Sequence, residues 1–266
     1  MMIIKTDEEV ELIRKSSMLV SATLAEVAKN IKIGGNGLKL DRLAEEFIRD
    51  HGALPAFKGL YGCPSTLLIS VNEAVVHGLP TAKEFTEGDI LSIDTGAVLN
   101  GYYGDSAYTF CLGEINDKVR KLVEVTYKSL YLGIEKAIHG NRVGDISHAI
   151  QNYCEVENKF ACVRELVGHG LGKSLHEDPQ VPNYGKKGTG PKLEKNLVIA
   201  IEPMINMGKR GVFTAADKWT VVTQDRLPSV HFEHTVRVGM DRAEILTSFE
   251  PIEKEIKMNK DVVQIN

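Results

Sequence analysis

The sequence has few cysteines, no excess of basic residues and no long apolar run, and each absence excludes a class of protein. Its 4 cysteines among 266 residues show no C-x-x-C spacing. This argues against a thiolate zinc site or a disulfide framework and favours reduced, partly buried thiols. Lys and Arg number 32 against 36 Asp and Glu, for a net charge of -4. Such a balance is not typical of nucleic-acid-binding or membrane-surface proteins, and it fits a small peptide as the substrate.

Segments that direct a chain into or across a membrane are not recognisable. Residues 1–7 lack a basic stretch followed by a long apolar run, and nowhere do about eighteen apolar residues follow one another. We therefore expect no signal peptide, no membrane span and a cytoplasmic protein. With 43% hydrophobic residues the chain can bury a sizeable core, and we expect one catalytic domain over residues 1–266.

Two acidic residues lie on a predicted β-hairpin. The apolar run at residues 90–93 ends in Asp94, and Asn100-Gly101 is a strong hairpin signal, so the chain should return antiparallel. If Asn100 and Gly101 are the two central residues of the turn, residue 94 faces residue 107. Asp105 is then the diagonal neighbour of Asp94 on the same face, about 7–8 Å away. Two bare carboxylates so placed repel each other, and we expect a cation between them.

A second pair of acidic residues lies further along the chain. The apolar run at residues 196–201 indicates a buried strand that delivers Glu202 at its end. Residues 230–236 alternate between apolar and polar side chains and predict another strand. Its polar face carries His231, Glu233 and Thr235. His234 is on the opposite face, where we expect core packing or an indirect role.

A histidine lies in a glycine-rich segment between the two acidic pairs. His169 stands in GHGLGKSLHE at residues 168–177, where three glycines exclude a stable helix, so we expect a loop. The candidate metal ligands are Asp94, Asp105, His169, Glu202 and Glu233. Four carboxylates and one imidazole are the ligands expected of a site for two divalent first-row ions such as Mn, Fe(II) or Co. They are not the ligands of a thiolate zinc site.

The ordinary structural explanation of these residues has to be weighed. Any one such acid is more often a solvated turn residue or a helix cap, and an isolated histidine is more often a hydrogen-bond partner than a ligand. Four acids on buried strands beside a histidine are harder to explain in this way, because unpaired buried charges cost about several kcal/mol each.

The order of helices and strands occurs twice along the chain. The predicted helices are a long one that begins at the Thr6 and Glu9 capping box and stops at Gly34, a second at residues 40–50, a third that stops at Gly140 and a fourth at residues 145–157. We expect pseudo-repeats at about residues 6–111 and 116–240, related by a pseudo-two-fold axis, and a C-terminal tail at residues 241–266. The predicted fold class is α+β, with two helix pairs covering a curved antiparallel sheet. Two helix pairs also arise by chance in such chains.

Six motifs in this order resemble those of methionine aminopeptidases of type I, the short bacterial form within the M24 metallopeptidase family. They are SVNEAVVHGLP at residues 70–80, Asp94 with Gly104-Asp105, GHGLG at residues 168–172, LHE at residues 175–177, IEP at residues 201–203 and FEHT at residues 232–235. The resemblance covers about residues 5–245. It implies the pita-bread (creatinase/aminopeptidase) fold. It also implies a metallo-aminopeptidase that removes the initiator methionine from nascent proteins when the second residue is small.

The resemblance implies cofactors, roles and partners as well. Two divalent metal ions, among Co, Mn, Fe(II), Zn and Ni, would be held by the five candidate ligands, and a metal-bridging hydroxide would attack the first peptide bond. Glu202 would act as the general base, His176 would stabilise the oxyanion, and His77 would contact the scissile amide. Trp219 and the region of Cys63 would line the methionine pocket. The partners would be N-termini of nascent peptides at the ribosome, with no nucleic acid bound directly, no membrane and a monomeric enzyme.

Three pocket positions depart from the family pattern. Cys63 stands before Pro64 where an aromatic residue is common, Leu68 where many relatives have a cysteine, and Leu175 where a phenylalanine is common. We expect these changes to alter the tolerance for the first side chain of the substrate and to leave the chemistry intact.

Other interpretations remain open. Without the resemblance, His77 is more readily explained as a hydrogen-bonded turn residue before Gly78. X-Pro aminopeptidases and prolidases share the five-ligand pattern but usually add a large N-terminal domain, which we do not expect here. A pita-bread binding protein that has lost its metals would not be expected to keep all five ligands. Metal content, with release of methionine from Met-Ala-Ser against cleavage of Ala-Pro, distinguishes these possibilities.

Overall fold

Five α-helices, sixteen strands, one 3-10 turn at Leu60–Gly62 and one π-helical turn at Asn152–Glu157 make up the regular structure of residues 2–265, which the computed structural model describes. Met1 and Asn266, the two ends of the expected domain, lie outside the described residues. The helices are α1 (Asp7–Asn30), α2 (Gly37–Asp50), α3 (Asp117–Ile134), α4 (Val143–Gln151) and α5 (Glu250–Met258). Between residues 2 and 265, no helix is long and apolar enough to cross a membrane.

The strands are short and pair antiparallel. In chain order they are β1 (Leu54–Pro55), β2 (Leu67–Val71), β3 (Ala74–Val76), β4 (Ile90–Leu99), β5 (Tyr102–Leu112), β6 (Ala161–Cys162), β7 (Gly168–Gly170), β8 (Glu177–Val181), β9 (Val198–Ile201), β10 (Met204–Asn206), β11 (Val212–Thr214), β12 (Val221–Thr223), β13 (Ser229–His231), β14 (His234–Arg237), β15 (Glu244–Ile245) and β16 (Val262–Val263). They form sheets in the orders β1-β4-β5-β16 with β2 also paired to β4, β15-β14-β9-β7-β8, β13-β10-β6 and β11-β12-β3.

The hairpin of β4 and β5 has the predicted register. Asn100 and Gly101 both have positive φ, 54° and 78°, as a tight two-residue turn requires. Asp94 is paired with Ala107, and the next pairs toward the turn continue without a bulge. The local turn signal and the strand alternation therefore determined this part of the fold.

Helix α1 lies directly on the hairpin. Its capping box is formed, since the Thr6 side chain accepts from the Glu9 amide while the Glu9 side chain accepts from the Thr6 amide. At Gly104 a Cβ atom would lie 2.5 Å from the backbone nitrogen of Ser17, so only glycine permits this approach. The helix thus packs against β5 one residue before Asp105.

Hydrogen bonds join the first sheet to the strands that follow later in the chain. The Glu233 amide donates to the Ala107 carbonyl at 2.9 Å, and the Thr235 hydroxyl donates to the Asp105 carbonyl at 2.8 Å. Because these bonds run from the β13–β14 region to β5, the segment around Glu233 is held against the strand that carries Asp105. The apolar core continues from this junction to the helices, with Phe110 and Phe232 fully buried.

Several predicted boundaries were wrong. Helix α1 ends at Asn30 and α3 at Ile134, well before the glycines that were expected to stop them. Helix α2 begins three residues early, because Asn36 caps it with its side chain on the Lys39 amide. The fourth predicted helix is α4 followed by a π-helical turn at Asn152–Glu157. Helix ends depend on capping and packing that periodicity alone does not specify.

Two strand predictions were also wrong. The predicted strand at residues 230–236 is interrupted at Phe232 and Glu233, because β13 pairs with β10 whereas β14 pairs with β9. His169 lies on β7 rather than in a loop. The glycines beside it permit close strand approach: a Cβ at Gly168 or Gly170 would lie 2.4 or 2.3 Å from a carbonyl oxygen of a neighbouring strand.

The C-terminal residues pack on both α1 and the first sheet. Strand β16 pairs with β5 through Val262 opposite Leu112. The Asn259 side chain donates to the carbonyls of Ala28 and Ile31, at the C-terminal end of α1. The predicted tail is therefore an ordered layer that covers the edge of β5. The pseudo-two-fold relation between the two halves stays a prediction.

Candidate metal centre and substrate pocket

All eleven predicted site residues line one cavity of about 740 Å³. They are Cys63, Leu68, His77, Asp94, Asp105, His169, Leu175, His176, Glu202, Trp219 and Glu233. Their positions in the sequence span more than half of the chain, so the fold itself brings them together. Asp94, Asp105, His169, Glu202 and Glu233 form one cluster in this cavity, and we call this cluster the acidic centre. The apolar residues form the opposite wall of the cavity.

Two acids of the acidic centre come from the hairpin. Asp94 and Asp105 are diagonal neighbours across β4 and β5 because Asp94 pairs with Ala107 and Asp105 with Gly96. Asp105 is 4% exposed. One carboxylate oxygen of each acid is buried without a hydrogen-bond partner among residues 2–265. The hairpin therefore presents two unsatisfied carboxylates to the cavity.

The other two acids come from the later strands. Glu202 follows the last residue of β9, and the Asn183 side chain donates to its backbone carbonyl at 2.9 Å. Glu233 lies at the break between β13 and β14, where the Ser106 hydroxyl donates to its carbonyl at 2.8 Å. The break thus turns the Glu233 side chain toward the hairpin acids, and one of its oxygens is also buried without a partner in the described chain.

His169 on β7 completes the acidic centre. Its Nε2 atom lies 3.8 Å from Asp105 Oδ2 and 3.7 Å from Glu202 Oε1, and its Nδ1 lies 2.9 Å from the Gly170 carbonyl oxygen. Nδ1 can therefore donate to this carbonyl, which leaves Nε2 as a free electron pair directed at the acids. Single donor atoms of Asp105, His169 and Glu233 lie within 4.8 Å of one another, as a shared cation requires.

Burial and mutual repulsion dominate the electrostatics of the acidic centre. Burial raises the pKa of Asp105 and of Glu233 well above the usual range, and the neighbouring carboxylates raise it further. Burial also raises the pKa of Asp94 and Glu202. It lowers the pKa of His169, which favours the neutral imidazole that metals bind. Carboxyls with unpartnered buried oxygens beside a neutral imidazole fit a site for divalent cations.

Two further histidines line the cavity, His77 directly after β3 and His176 directly before β8. His77 has a positive φ of 59°, so its backbone holds a conformation that few residues with a side chain adopt. The His176 ring lies 4.5 Å from the His169 ring and is stacked on Tyr61 with ring centroids 6.0 Å apart. Burial lowers the pKa of both His77 and His176. Each is therefore a neutral imidazole that can donate one hydrogen bond.

The apolar wall of the cavity includes residues that sequence reasoning missed. Cys63, Leu68 and Leu175 pack together with Phe57, and Trp219 packs against this group. Leu60, Tyr61, Val76 and Met204 also line the cavity. Tyr61 is 78% exposed and lies between two glycines with positive φ. The one signal in the sequence that could have identified Tyr61 is the position of an aromatic residue between Gly59 and Gly62.

The two histidines beside Glu233 have different surroundings. His234 is buried away from the acidic centre, stacked on Phe249 with ring centroids 3.8 Å apart and 2.7 Å from the Thr247 hydroxyl. Burial lowers the pKa of His234 to about 3. His231, by contrast, lies with Nε2 3.6 Å from Glu202 Oε2. The alternation of residues 230–236 predicted His231 on the polar face of a strand but indicated no role for it.

Comparison with known proteins gives a consistent result. A profile of metallopeptidase family M24 matches residues 11–239. Over 247 residues the chain is 50% identical to methionine aminopeptidase 1 of Bacillus subtilis (strain 168), an alignment that covers 93% of this chain and 99% of that relative. The crystal structure of methionine aminopeptidase from Thermotoga maritima superposes with a TM-score of 0.91 at 44% identity, covering 93% of this chain and 100% of that one. Prolidase from Pyrococcus furiosus superposes with a TM-score of 0.75 at 25% identity, covering 92% of this chain and 65% of that one.

Proposed function

The chain belongs to metallopeptidase family M24, and from this premise we propose how its residues divide the work of the reaction. It is a metal-dependent aminopeptidase that removes the initiator methionine. Its fold is the pita-bread fold, which methionine aminopeptidases and prolidases share. The observation that supports our assignment of residues is the buried convergence of four carboxyls and His169, three of the carboxyls having an oxygen without a partner in residues 2–265.

We assign metal binding to the five residues of the acidic centre, which are Asp94, Asp105, His169, Glu202 and Glu233. When bound, two divalent ions supply a water deprotonated near neutral pH and polarise the carbonyl of the scissile bond. Ligands of this kind accept Co, Mn, Fe(II), Zn or Ni, and availability decides among them. The carboxyls lie deep in the cavity, since Asp105 and Glu233 are only 4% and 2% exposed.

Glu202 takes the role of general base in this proposal. Its carboxyl lies beside His169, with Oε1 3.7 Å from Nε2, and lines the cavity that would hold the attacking water. A proton acceptor must lie within hydrogen-bond reach of the proton that it accepts. Glu202 can thus bind metal as a member of the acidic centre and also accept a proton from the attacking water.

His176 and His77 act on the substrate. Each lines the cavity as a neutral imidazole and can donate one N–H. We assign the His176 donor to the oxygen that becomes negative in the transition state. We assign His77 to the amide of the scissile bond, where it assists proton delivery to the departing amine. The positive φ at His77 is a strained conformation of the kind that functional sites retain.

The substrate in this proposal is a peptide with methionine first and a small residue second. The wall of Cys63, Leu68, Leu175 and Trp219 receives the methionine side chain. Such chains are nascent proteins, so we propose that the enzyme works as a monomer in the cytoplasm on N-termini that emerge from the ribosome.

The test combines metal content with substrate choice. Protein freed of metal by a chelator is measured with Mn(II), Fe(II), Co(II), Zn(II) and Ni(II) in turn, with Met-Ala-Ser and Ala-Pro as substrates. We expect no activity without metal, two ions per chain on reconstitution, and release of methionine from Met-Ala-Ser. Full activity in the metal-free protein would refute the proposal, and preferential cleavage of Ala-Pro would assign the chain to the prolidase branch.

A further inference from the structure

The Glu202 carboxylate lies between two imidazole rings. Its Oε1 atom is 3.7 Å from His169 Nε2, and its Oε2 atom is 3.6 Å from His231 Nε2. His231 is 2% exposed, and its Nε2 atom has no hydrogen-bond partner within the described part of the chain. The two oxygens of Glu202 therefore face two different nitrogens, of which only the first belongs to the proposed ligand set.

Strand pairing brings His231 to this position. His231 is the last residue of β13 and is paired with Met204 of β10. Met204 follows Glu202 by two residues in the chain. The short turn through Pro203 places the Glu202 carboxylate next to the ring. The register of two strands from distant parts of the sequence thus sets the distance between His231 and Glu202.

The hairpin that carries Asp94 and Asp105 fixes the backbone of His231. Its amide faces the hydroxyls of Ser92 and Thr109 at 3.2 and 3.4 Å, and the Thr109 hydroxyl donates to its carbonyl at 2.7 Å. Because Ser92 and Thr109 are themselves paired across β4 and β5, His231 is held by the same strands that present the hairpin acids. Its ring is therefore placed by both sheets.

We propose that His231 is a positioning residue that donates a hydrogen bond from Nε2 to Glu202 Oε2 and so keeps Oε1 directed at the acidic centre. A carboxylate that gives one oxygen to a cation leaves its second oxygen in need of a donor, and such donors orient the ligand. The proposal rests on the proposed function.

Two substitutions of similar volume separate a hydrogen-bond donor from a mere space filler. His231→Gln keeps an N–H that can reach a carboxylate, whereas His231→Leu removes it. We expect His231→Leu to weaken Mn(II) binding to the chelator-treated protein by about 10–100-fold, the usual effect of losing such a donor. Its kcat on Met-Ala-Ser falls as well, while KM changes little because the side chain does not line the cavity. His231→Gln stays close to the wild type in both measurements.

A control on the same strand removes hydrogen bonds without touching Glu202. The Ser229 hydroxyl donates to Asn206 Oδ1 at 2.8 Å and to the Ile205 carbonyl at 3.3 Å. We expect Ser229→Ala to lower the Tm of the protein and to leave the Mn(II) affinity unchanged. His231→Ala serves as a second variant without a donor if the leucine variant does not fold.

Calorimetric titration of each metal-free variant with Mn(II) decides the matter. Wild-type affinity in His231→Leu would overturn the proposal, as would equal losses in the glutamine and leucine variants, since the imidazole itself would then be required. A similar loss in Ser229→Ala would attribute the effect to the strand and also overturn it. Failure of the wild-type protein to bind metal or release methionine would instead refute the proposed function.

Discussion

Asp94 and Asp105 are diagonal neighbours on one face of a hairpin whose turn is Asn100-Gly101. Each acid has a buried oxygen without a hydrogen-bond partner in the described chain. A pair of carboxylates in this position destabilises the metal-free fold, because buried like charges repel and lose hydration. The protein can relieve this repulsion by binding protons, since the pKa of Asp94 and of Asp105 is raised, and a bound cation would relieve it as well.

Asp105→Asn is expected to abolish turnover and to leave the protein folded. The amide has nearly the same volume as the carboxylate but removes one charge from the proposed ligand set. We expect kcat to fall by at least about 10²-fold and the metal-free protein to keep or raise its Tm, since a repulsive charge is lost. Activity and metal content are measured on the same sample. Asp117→Asn, an exposed position on α3, is the control. Near-normal activity with two bound ions would contradict the assignment.

His176→Ala is expected to reduce the catalytic rate without loss of metal. His176 contacts the His169 ring but lies outside the cluster of donor atoms formed by Asp105, His169 and Glu233. Removal of one donor to a developing oxyanion lowers the rate by about 10²–10³-fold. Parallel measurements of kcat and bound metal test this, with the exposed His148→Ala as control. If metal is lost in proportion to activity, His176 is a ligand.

The hairpin could be predicted because its signals are local. The Asn100-Gly101 turn fixes the register of the strands beside it, so the sequence places Asp94 opposite residue 107 before any tertiary contact is known. The capping box at Thr6 is local in the same sense. At these two places the predictions from neighbouring residues were confirmed.

The break at Phe232 and Glu233 could not be predicted in this way. The alternation of residues 230–236 is real, but β13 and β14 pair with different strands, and this choice depends on residues far away in the sequence. The position of His231 beside Glu202 has the same origin. The glycines around His169 also indicated a loop locally, although they permit close pairing of β7 with its neighbours.

Metal affinity is expected to rise with pH from the acidic range through neutrality. Burial raises the pKa of Asp94 and of Glu202 to about 7 in the metal-free protein, so an ion must displace protons from these carboxyls at lower pH. Raised carboxyl pKa values stabilise the metal-free fold below about pH 4, and this contribution is lost as the pH rises through about 7. His169 does not reverse the trend, because burial lowers its pKa.

Titration of the metal-free protein with Mn(II) from about pH 5.5 to 8 measures this dependence. At a fixed metal concentration, the rise in Tm caused by the metal should be largest above about pH 7. An ion at 100 times its Kd adds about 2.7 kcal/mol to the free energy of unfolding. Asp105→Asn, with one charge fewer, should show a weaker dependence on pH. An affinity that is constant or falls over this range would contradict the assignment of the carboxyls as ligands.

Cleavage is expected to depend steeply on the size of the second residue. The cavity of about 740 Å³ is lined by the acidic centre, by His77 and His176 and by the apolar wall, so we expect little volume beyond the scissile bond. Met-Gly-Ser, Met-Ala-Ser and Met-Ser-Ser should be good substrates, whereas Lys, Phe or Leu in second place should be rejected. The ratio of kcat/KM values across this series is the measurement. Equal rates for Met-Ala and Met-Lys peptides would contradict the geometry.

Discrimination at the first residue is expected to be modest and to depend on Leu175. Leu175 is 5% exposed and packs with Cys63 and Leu68, so this part of the proposed methionine pocket is built from small or flexible side chains. One methylene more or less in such a pocket changes the free energy of the transition state by about 1–3 kcal/mol. Norleucine should therefore be accepted readily and leucine about 10–200-fold less well.

Leu175→Phe fills the wall and should increase the penalty for branched leucine, whereas the partly exposed Leu227→Phe should leave the ratio unchanged. The kcat/KM values for Met-Ala-Ser, norleucine-Ala-Ser and Leu-Ala-Ser decide this. Identical ratios in the wild type and Leu175→Phe would show that Leu175 does not contact the first side chain.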